Sequence, residues 1–398
     1  MKKTKIEARN SPNMRQHFFN FLPSEACNIP NMGQHFFNFL PSEIILNILS
    51  RLPTRTTMIC KCVCKPWLNL LATNEFVKSH LSKSVPGLVV FEWKTHPKPH
   101  KIVEFVNKLD FNCHEHRWNV LFNFDLPFCG PTHSSANGLL FLCEGDGDIF
   151  VCNPITREYI RLPSPLPRPY SKPRLQRHTY GFGVSRSSGK FKVVRILSAT
   201  PERPDRCDCQ VYTVGTVRWR RIVCGSMLEY EERSKGALLN GKLHFLASER
   251  FSYGVSCIDL ETELFSTFSP PPLSDPHMTR NLSVLGDCLC VCDTASVFRP
   301  DYEIHLWLMK EYGNYESWTK EFIIRNVGME DRLGCVCPIK VFEDGDIVME
   351  LGGRQLAYYS GKTKAIRRVD PNILSCAVVY VPSFLPLKAY AMENVSSF

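Results

Sequence analysis

Five glycines set the frame of this chain: Gly138, Gly189, Gly241, Gly286 and Gly345 fall 51, 52, 45 and 59 residues apart. Each one opens the same sequence of events, a turn, an apolar strand, a second strand and a third that ends in a proline or a charge. Thus Asn137-Gly138-Leu139-Leu140-Phe141-Leu142 precedes Ile149-Phe150-Val151-Cys152-Asn153-Pro154 and then Thr156 to Pro163, and the other four glycines lead comparable runs. A unit of this length makes a small sheet that cannot bury its apolar faces alone, so successive units must stack on one another. A repeat near 50 residues is the length of one four-stranded β-propeller blade. Leu88–Trp93 with Ile102–Leu109 is read as the start of a further blade, and Cys376–Val381 as the segment that closes the ring against it.

Residues 40 to 81 follow a different rule. Leu40-Pro41 opens a helix with Ser42 or its predecessor near the cap, and Ile44, Ile45, Ile48, Leu49 and Leu52 recur at helical spacing. Pro53 ends that helix and Thr54 is placed to cap the next, which carries Met58, Ile59, Cys62 and Val63. Pro66 suits the first turn of a third helix bearing Trp67, Leu70 and Leu71. Short helices in so small a block hold little core, so part of this apolar surface is expected to meet another protein.

The block resembles the F-box. Leu40-Pro41, Ile48-Leu49-Ser50-Arg51-Leu52-Pro53 and Val63-Cys64-Lys65-Pro66-Trp67 carry the likeness, with Phe76 and Leu81 in its trailing helix. The resemblance implies docking onto the Skp-type adaptor of a cullin-based ubiquitin ligase. The residues it assigns to that contact are Leu40, Pro41, Ile44, Ile48, Leu49, Leu52, Pro53, Val63, Lys65 and Trp67.

Upstream, Pro12 to Glu25 is repeated as Pro30 to Glu43 with one change, Arg15 against Gly33. The second copy runs into the first helix, whereas the first stops at Ala26-Cys27-Asn28 and builds no apolar stripe. It is read as a duplicated, mobile leader.

The chain has 398 residues, 44% apolar and 22% charged, which is the balance of a globular protein with a large core. No apolar run reaches membrane-span length, and the Met1-Lys2-Lys3 start is not followed by a signal-type apolar stretch, so a cytoplasmic or nuclear location is expected. The net charge of +9 is uneven: +6 falls in residues 1 to 81 and +3 in the rest. That excess suits an acidic partner surface near the helices better than nucleic acid. The basic stretches Arg218-Trp219-Arg220-Arg221 and Lys362-Lys364-Arg367-Arg368 read as solvated faces. No nucleic-acid or membrane partner is expected.

Eighteen cysteines are present without one Cys-x-x-Cys pair. They alternate instead, as in Cys60/Cys62/Cys64, Cys207/Cys209, Cys288/Cys290/Cys292 and Cys335/Cys337, a spacing that puts thiols on one strand face as small buried apolar groups. Zinc sites want separated pairs with turn spacers, so neither these sets nor His96, His100, Cys113, His114 and His116 are expected to hold metal. Gly181-Phe182-Gly183 lacks a dinucleotide-loop context, Gly183 to Ser187 lacks the second glycine of a nucleophile elbow, and Glu144 to Asp148 reads as a hairpin turn.

The C-terminal region also resembles the plant F-box-associated, kelch-like domain. The likeness rests on Ser135-Ala136-Asn137-Gly138-Leu139-Leu140, Cys152-Asn153-Pro154-Ile155-Thr156-Arg157, Tyr180-Gly181-Phe182-Gly183-Val184 and Trp219-Arg220. It departs at the cysteine-rich fourth unit, with its Thr294–Tyr302 insertion, and in lacking most kelch double glycines. The expected fold is therefore α+β in two parts, a small all-α helical domain followed by an all-β propeller, kelch-like, of about six blades. Its divisions are a leader at 1–36, the F-box at 37–82, the propeller at 87–390 and a tail at 391–398. The expected role is that of a non-catalytic substrate-recognition subunit, joined by a Skp-type adaptor to a cullin scaffold and holding a protein target, with no cofactor and no catalytic residue. The alternatives are a propeller enzyme with a helical cap and a non-degradative scaffold on the same adaptor.

Overall fold

The computed structural model of the chain describes residues 40–93, 100–105, 118–128, 130–143, 148–165, 178–197, 208–223, 229–230, 235–249, 252–273, 275, 277–295, 303–325, 335–369, 375–390 and 395–398. The duplicated leader lies outside them, as do the Glu144–Gly147 turn, most of the Thr294–Tyr302 insertion, and His96, Cys113, His114 and His116. The chain divides into a unit ending at Lys83 and a unit beginning at Ser84.

The first unit holds α1 (Ser42–Leu49), α2 (Thr54–Cys60), α3 (Lys65–Leu70) and α4 (Asn74–Lys83). Prolines start three of them. Pro41 and Pro53 occupy the N-cap positions of α1 and α2 with φ of −54° in both, and Pro66 lies in the first turn of α3. Thr54 is thus the first helical residue of α2, not its cap, and its side chain is buried. A side-chain cap is found at α4, where the Phe76 amide donates to Thr73 Oγ1 at 3.2 Å. Leu46, Leu49, Leu71, Phe76 and Val77 form the core of the unit, and Lys83 Nζ donates to Ser50 Oγ at 2.7 Å to tie α4 to the end of α1. The single stripe expected on α1 is split: Leu46 and Leu49, three apart, face inward, while Ile44 and Ile48 face water.

The second unit is a six-bladed β-propeller. Its chain begins with β1 (Gly87–Glu92), β2 (His100–Phe105) and β3 (Trp118–Phe124). The second blade is β4 (Thr132–Ala136), β5 (Leu139–Cys143), β6 (Ile149–Asn153) and β7 (Glu158–Arg161). The third is β8 (His178–Val184), β9 (Phe191–Leu197), β10 (Asp208–Thr213) and β11 (Arg220–Val223). The fourth is β12 (Glu229–Tyr230), β13 (Ala237–Leu239), β14 (Lys242–Glu249), β15 (Ser252–Asp259) and β16 (Phe265–Phe268). The fifth is β17 (Thr279–Leu285), β18 (Cys288–Thr294), β19 (Glu303–Met309) and β20 (Trp318–Arg325), and the sixth β21 (Val336–Val341), β22 (Ile347–Leu351), β23 (Gln355–Tyr359) and β24 (Ile366–Arg368). Then β25 (Ser375–Tyr380) returns to pair antiparallel with β1, Tyr380 opposite Gly87, and completes the first blade. β26 (Ser396–Ser397) adds to the outer edge of the second blade beside β7, so part of the expected tail is a strand. An outer edge with free backbone groups accepts it.

First strands of successive blades lie side by side around the axis: β25 by β4, β4 by β8, β8 by β13, β13 by β17 and β17 by β21. All five lead glycines sit in the turn between the first and second strands of their blades, with φ between +62° and +84°. Between blades the faces are apolar. Phe141, Val151, Phe182, Val193 and Trp219 pack the second against the third, and Cys290, Cys292, Ile304, Val336 and Met349 pack the fifth against the sixth. The buried members of the alternating cysteines thus behave as apolar residues of an inter-blade core. Two parts of that expectation fail. Cys60, Cys62 and Cys64 lie in and after α2, where alternation spreads them around a helix and leaves Cys62 exposed, and Cys335 is exposed because it precedes β21.

The residues that carried the propeller likeness have structural tasks. Buried Asn153 donates from Nδ2 to the carbonyls of Ser383 and Leu385 at 2.9 and 2.7 Å and accepts from the Ile155 amide, so it pins the chain that crosses from the first blade to the second. A Cβ at Gly181 would meet Phe245 at 2.8 Å, and one at Gly183 would meet Leu238 at 2.6 Å, so β8 needs both glycines to lie against the fourth blade. Trp219 is buried and its Nε1 donates to the Pro163 carbonyl at 2.7 Å.

Candidate functional site

The helices of the first unit combine a closed core with an uncovered apolar surface. Ile44 (46%), Ile48 (44%), Ile59 (38%), Val63 (48%) and Leu68 (46%) are all exposed. One such side chain in water is ordinary, but five within 25 consecutive residues make a candidate site, because burying each stabilises by about 1.5–3 kcal/mol. The ten residues assigned from the sequence divide by position. Ile44, Ile48, Val63, Pro41, Pro53 and Lys65 are exposed; Leu40, Leu52 and Trp67 are half-buried; Leu49 is 2% exposed and belongs to the core of the unit. Leu49 is thereby corrected from a contact residue to a packing residue, since its inward position three residues after Leu46 leaves nothing for a partner to touch. Ile59 and Leu68 join the exposed set. Ile59 was legible only as part of the second helix's own stripe, and Leu68 only as the neighbour of Trp67.

One group of described propeller residues brings a histidine, a tyrosine and a cysteine together. His244 Nδ1 donates to the Ala237 carbonyl at 3.1 Å, so its Nε2 is the acceptor for Tyr312 Oη at 2.8 Å, with Cys257 Sγ 3.9 Å from the same hydroxyl. Burial brings His244 down to about 4 and raises the Cys257 thiol, so imidazole and thiol are neutral and the thiol has no imidazole partner. That arrangement lacks an activated nucleophile. His100 is likewise brought down to about 4 by burial, stacked between Phe91 and Phe124 at 4.9 and 5.2 Å. Among the described residues no three His, Cys, Asp or Glu side chains converge to hold a metal ion, and no helix is long and apolar enough to cross a membrane.

Two buried cations of the propeller, Arg280 and Lys192, are paired. Arg280 is bidentate on Asp293 at 2.6 and 2.7 Å, both buried, and donates Nη1 to the Pro271 carbonyl. Lys192 and Arg220 share Glu263, each at 2.7 Å, clamping the third blade to the fourth. Arg220 of the basic stretch therefore has a structural partner.

The chain matches two protein families over separate segments, the F-box domain at residues 37–79 and the F-box associated β-propeller domain at residues 129–387. The F-box protein CPR1 of Arabidopsis thaliana is 25% identical over 354 residues, covering 81% of this chain and 82% of its own length. The F-box protein At3g07870 of the same plant is 25% identical over 367 residues, covering 80% and 84%. A third relative from that plant, the F-box/kelch-repeat protein At3g23880, is 26% identical over 297 residues, covering 70% and 77%.

Proposed function

Because this chain belongs to the F-box proteins that carry an F-box associated β-propeller domain, we propose that it is the substrate-recognition subunit of a Skp-cullin-F-box ubiquitin ligase. The helical unit docks a Skp-type adaptor, and through it a cullin scaffold, while the propeller holds the target protein. The observation that carries this reading is the exposed set Ile44, Ile48, Ile59, Val63 and Leu68 on a unit whose own core is already closed. Trp67, half-buried between them in sequence, is the side chain best suited to anchor the contact, as a large ring with an apolar body. Lys65 and the net positive charge of this segment favour an acidic adaptor surface.

The chain itself makes and breaks no bond in this scheme. It fixes the target beside a ubiquitin-loaded enzyme and raises their effective concentration. The same reading assigns the chain to the cytoplasm, the nucleus or both. Co-expression with a Skp-type adaptor and a cullin tests it. A stoichiometric ternary complex that transfers ubiquitin to a protein retained by the propeller is the expected result. A chain that purifies alone under these conditions contradicts it.

A further inference from the structure

Among the described residues, Lys235 and the Nε of Arg195 make no hydrogen bond, in contrast to the paired cations above. Lys235 directly precedes Gly236, whose amide donates to the Tyr180 carbonyl at 3.0 Å, and a Cβ on Gly236 would lie 2.7 Å from the Cα of Gly181. The fourth blade is thus drawn against β8 at this level, and Lys235 projects from that approach. Its electrostatic neighbours belong to three other blades: His133 of the second, Cys337 and Glu350 of the sixth, and Cys376 of the first. A side chain of the fourth blade that acts on the sixth, first and second lies in the middle of the ring. His133, Cys337 and Cys376 are each the second residue of their inner strands, and Tyr180 is the third of its own, so all lie at the end of the axis where the inner strands begin.

Burial works most strongly against the Lys235 ammonium, but Glu350, Cys376 and Cys337 together offset it and hold the pKa above the ordinary lysine value. Lys235 has no hydrogen bond or ion pair at contact distance to any described residue, and its side chain is only half-buried. Arg195 lies at the same level, opposite Tyr180 in the β8–β9 register, with its guanidinium 6.0 Å from the Tyr180 ring centre and its buried Nε without a hydrogen-bond partner. His133 stands 6.2 Å from the same ring, its Nδ1 buried and also without a partner. Among the described residues Glu350 is the carboxylate that acts on Lys235, while the Nε of Arg195 and the Nδ1 of His133 are buried and unused. In a buried setting such groups are costly unless something completes them.

We propose that this end of the axis is the target-binding site and that it takes an aspartate or glutamate side chain of the captured protein, on Lys235 and Arg195, with His133 beside it. The assignment rests on the reading of the propeller as the target-holding part and supplies the chemistry of what it holds. The charge complementarity is local, because the buried Arg280 and Lys192 already have carboxylate partners and contribute nothing to an incoming acid.

The test measures fluorescence anisotropy of a labelled deca-glutamate peptide with the purified full chain at low salt, and deca-lysine as control. Deca-glutamate should bind and deca-lysine should not. Lys235→Met should weaken binding by about tenfold or more, Lys235→Arg should stay within about threefold, and the exposed-face variant Lys362→Met should match wild type. Arg195→Gln, read in parallel, should also weaken binding and keeps the test decisive if Lys235→Met fails to fold. Binding that is unchanged in both Lys235→Met and Arg195→Gln overturns the proposal, as does no binding at all. So does displacement by inorganic phosphate at the same molar concentration of charge, which would make the site a free-anion site. Adaptor capture is measured on the same samples: its retention with peptide binding lost refutes only this site, whereas its loss with peptide binding kept refutes the adaptor reading instead.

Discussion

Gly138 shows how much a single residue of the repeat carries. Its φ of +84° is a conformation that a side chain resists, and a Cβ there would also strike Ser383, at 2.1 Å from its Cβ and 2.9 Å from its backbone nitrogen. Gly286 occupies the equivalent turn of the fifth blade with φ of +62° and nothing within 4 Å. The two glycines separate backbone strain from collision. Gly286→Ala should lower the stability of the propeller by about 1 kcal/mol, the cost of the left-handed conformation alone. Gly138→Ala should cost about 3 kcal/mol or more, since the crossing chain at Ser383 must move as well. Denaturant unfolding of the two variants reads the difference, and equal losses would show that the Ser383 contact does not matter. At this scale the sequence marks both glycines alike, as members of one period. What distinguishes them is a contact 245 residues away in the chain, which no local pattern encodes.

Among elements, the blades were legible and the closure was only partly so. Alternating apolar residues with a glycine turn define strand pairs, and the spacing of Gly138, Gly189, Gly241, Gly286 and Gly345 defines the unit that stacks. The first blade could be completed from the apolar run at Cys376 because β1 lacks an inner partner in sequence order. The crossing that follows, from Pro382 to β26, has no periodicity to read. It is held by point contacts: Asn153 on the Ser383 and Leu385 carbonyls, Glu158 on the Leu387 amide at 2.7 Å, and β26 on β7. Asn153→Ala would leave two carbonyls and the Ile155 amide without their partner, and should destabilise the propeller by about 2–4 kcal/mol. Hydrogen exchange should show the loss first in Ser383 to Leu387 and in β7. Exchange that rises uniformly over all blades would contradict a local role for the crossing. The alternating cysteines show the limit of period alone: on β18 the spacing buries Cys290 and Cys292, but on α2 and its following turn the same spacing brings no common face.

At the scale of the molecule, the account joins two units with separate tasks. The exposed apolar side chains of the helices were readable because prolines fix the helix starts and because Ile44 and Ile48 have no inward neighbour to meet. The placement of Leu49 was not, since a two-turn helix gives no sequence signal for which of two adjacent apolar residues faces its own core. Lys235, Arg195 and His133 went unread for a different reason: they come from three blades, and Lys235 comes to act on His133 only when the ring closes. Docking of a Skp-type adaptor by the apolar helical surface, as proposed, is tested by calorimetric titration of purified adaptor into the full chain. Ile48→Asp together with Trp67→Ala would bring an uncompensated charge and a lost anchor into that contact. The double variant should lose more than about 100-fold in affinity, roughly 2.7 kcal/mol, with the unfolding midpoint of the propeller unchanged. Wild-type affinity in the double variant would contradict the account.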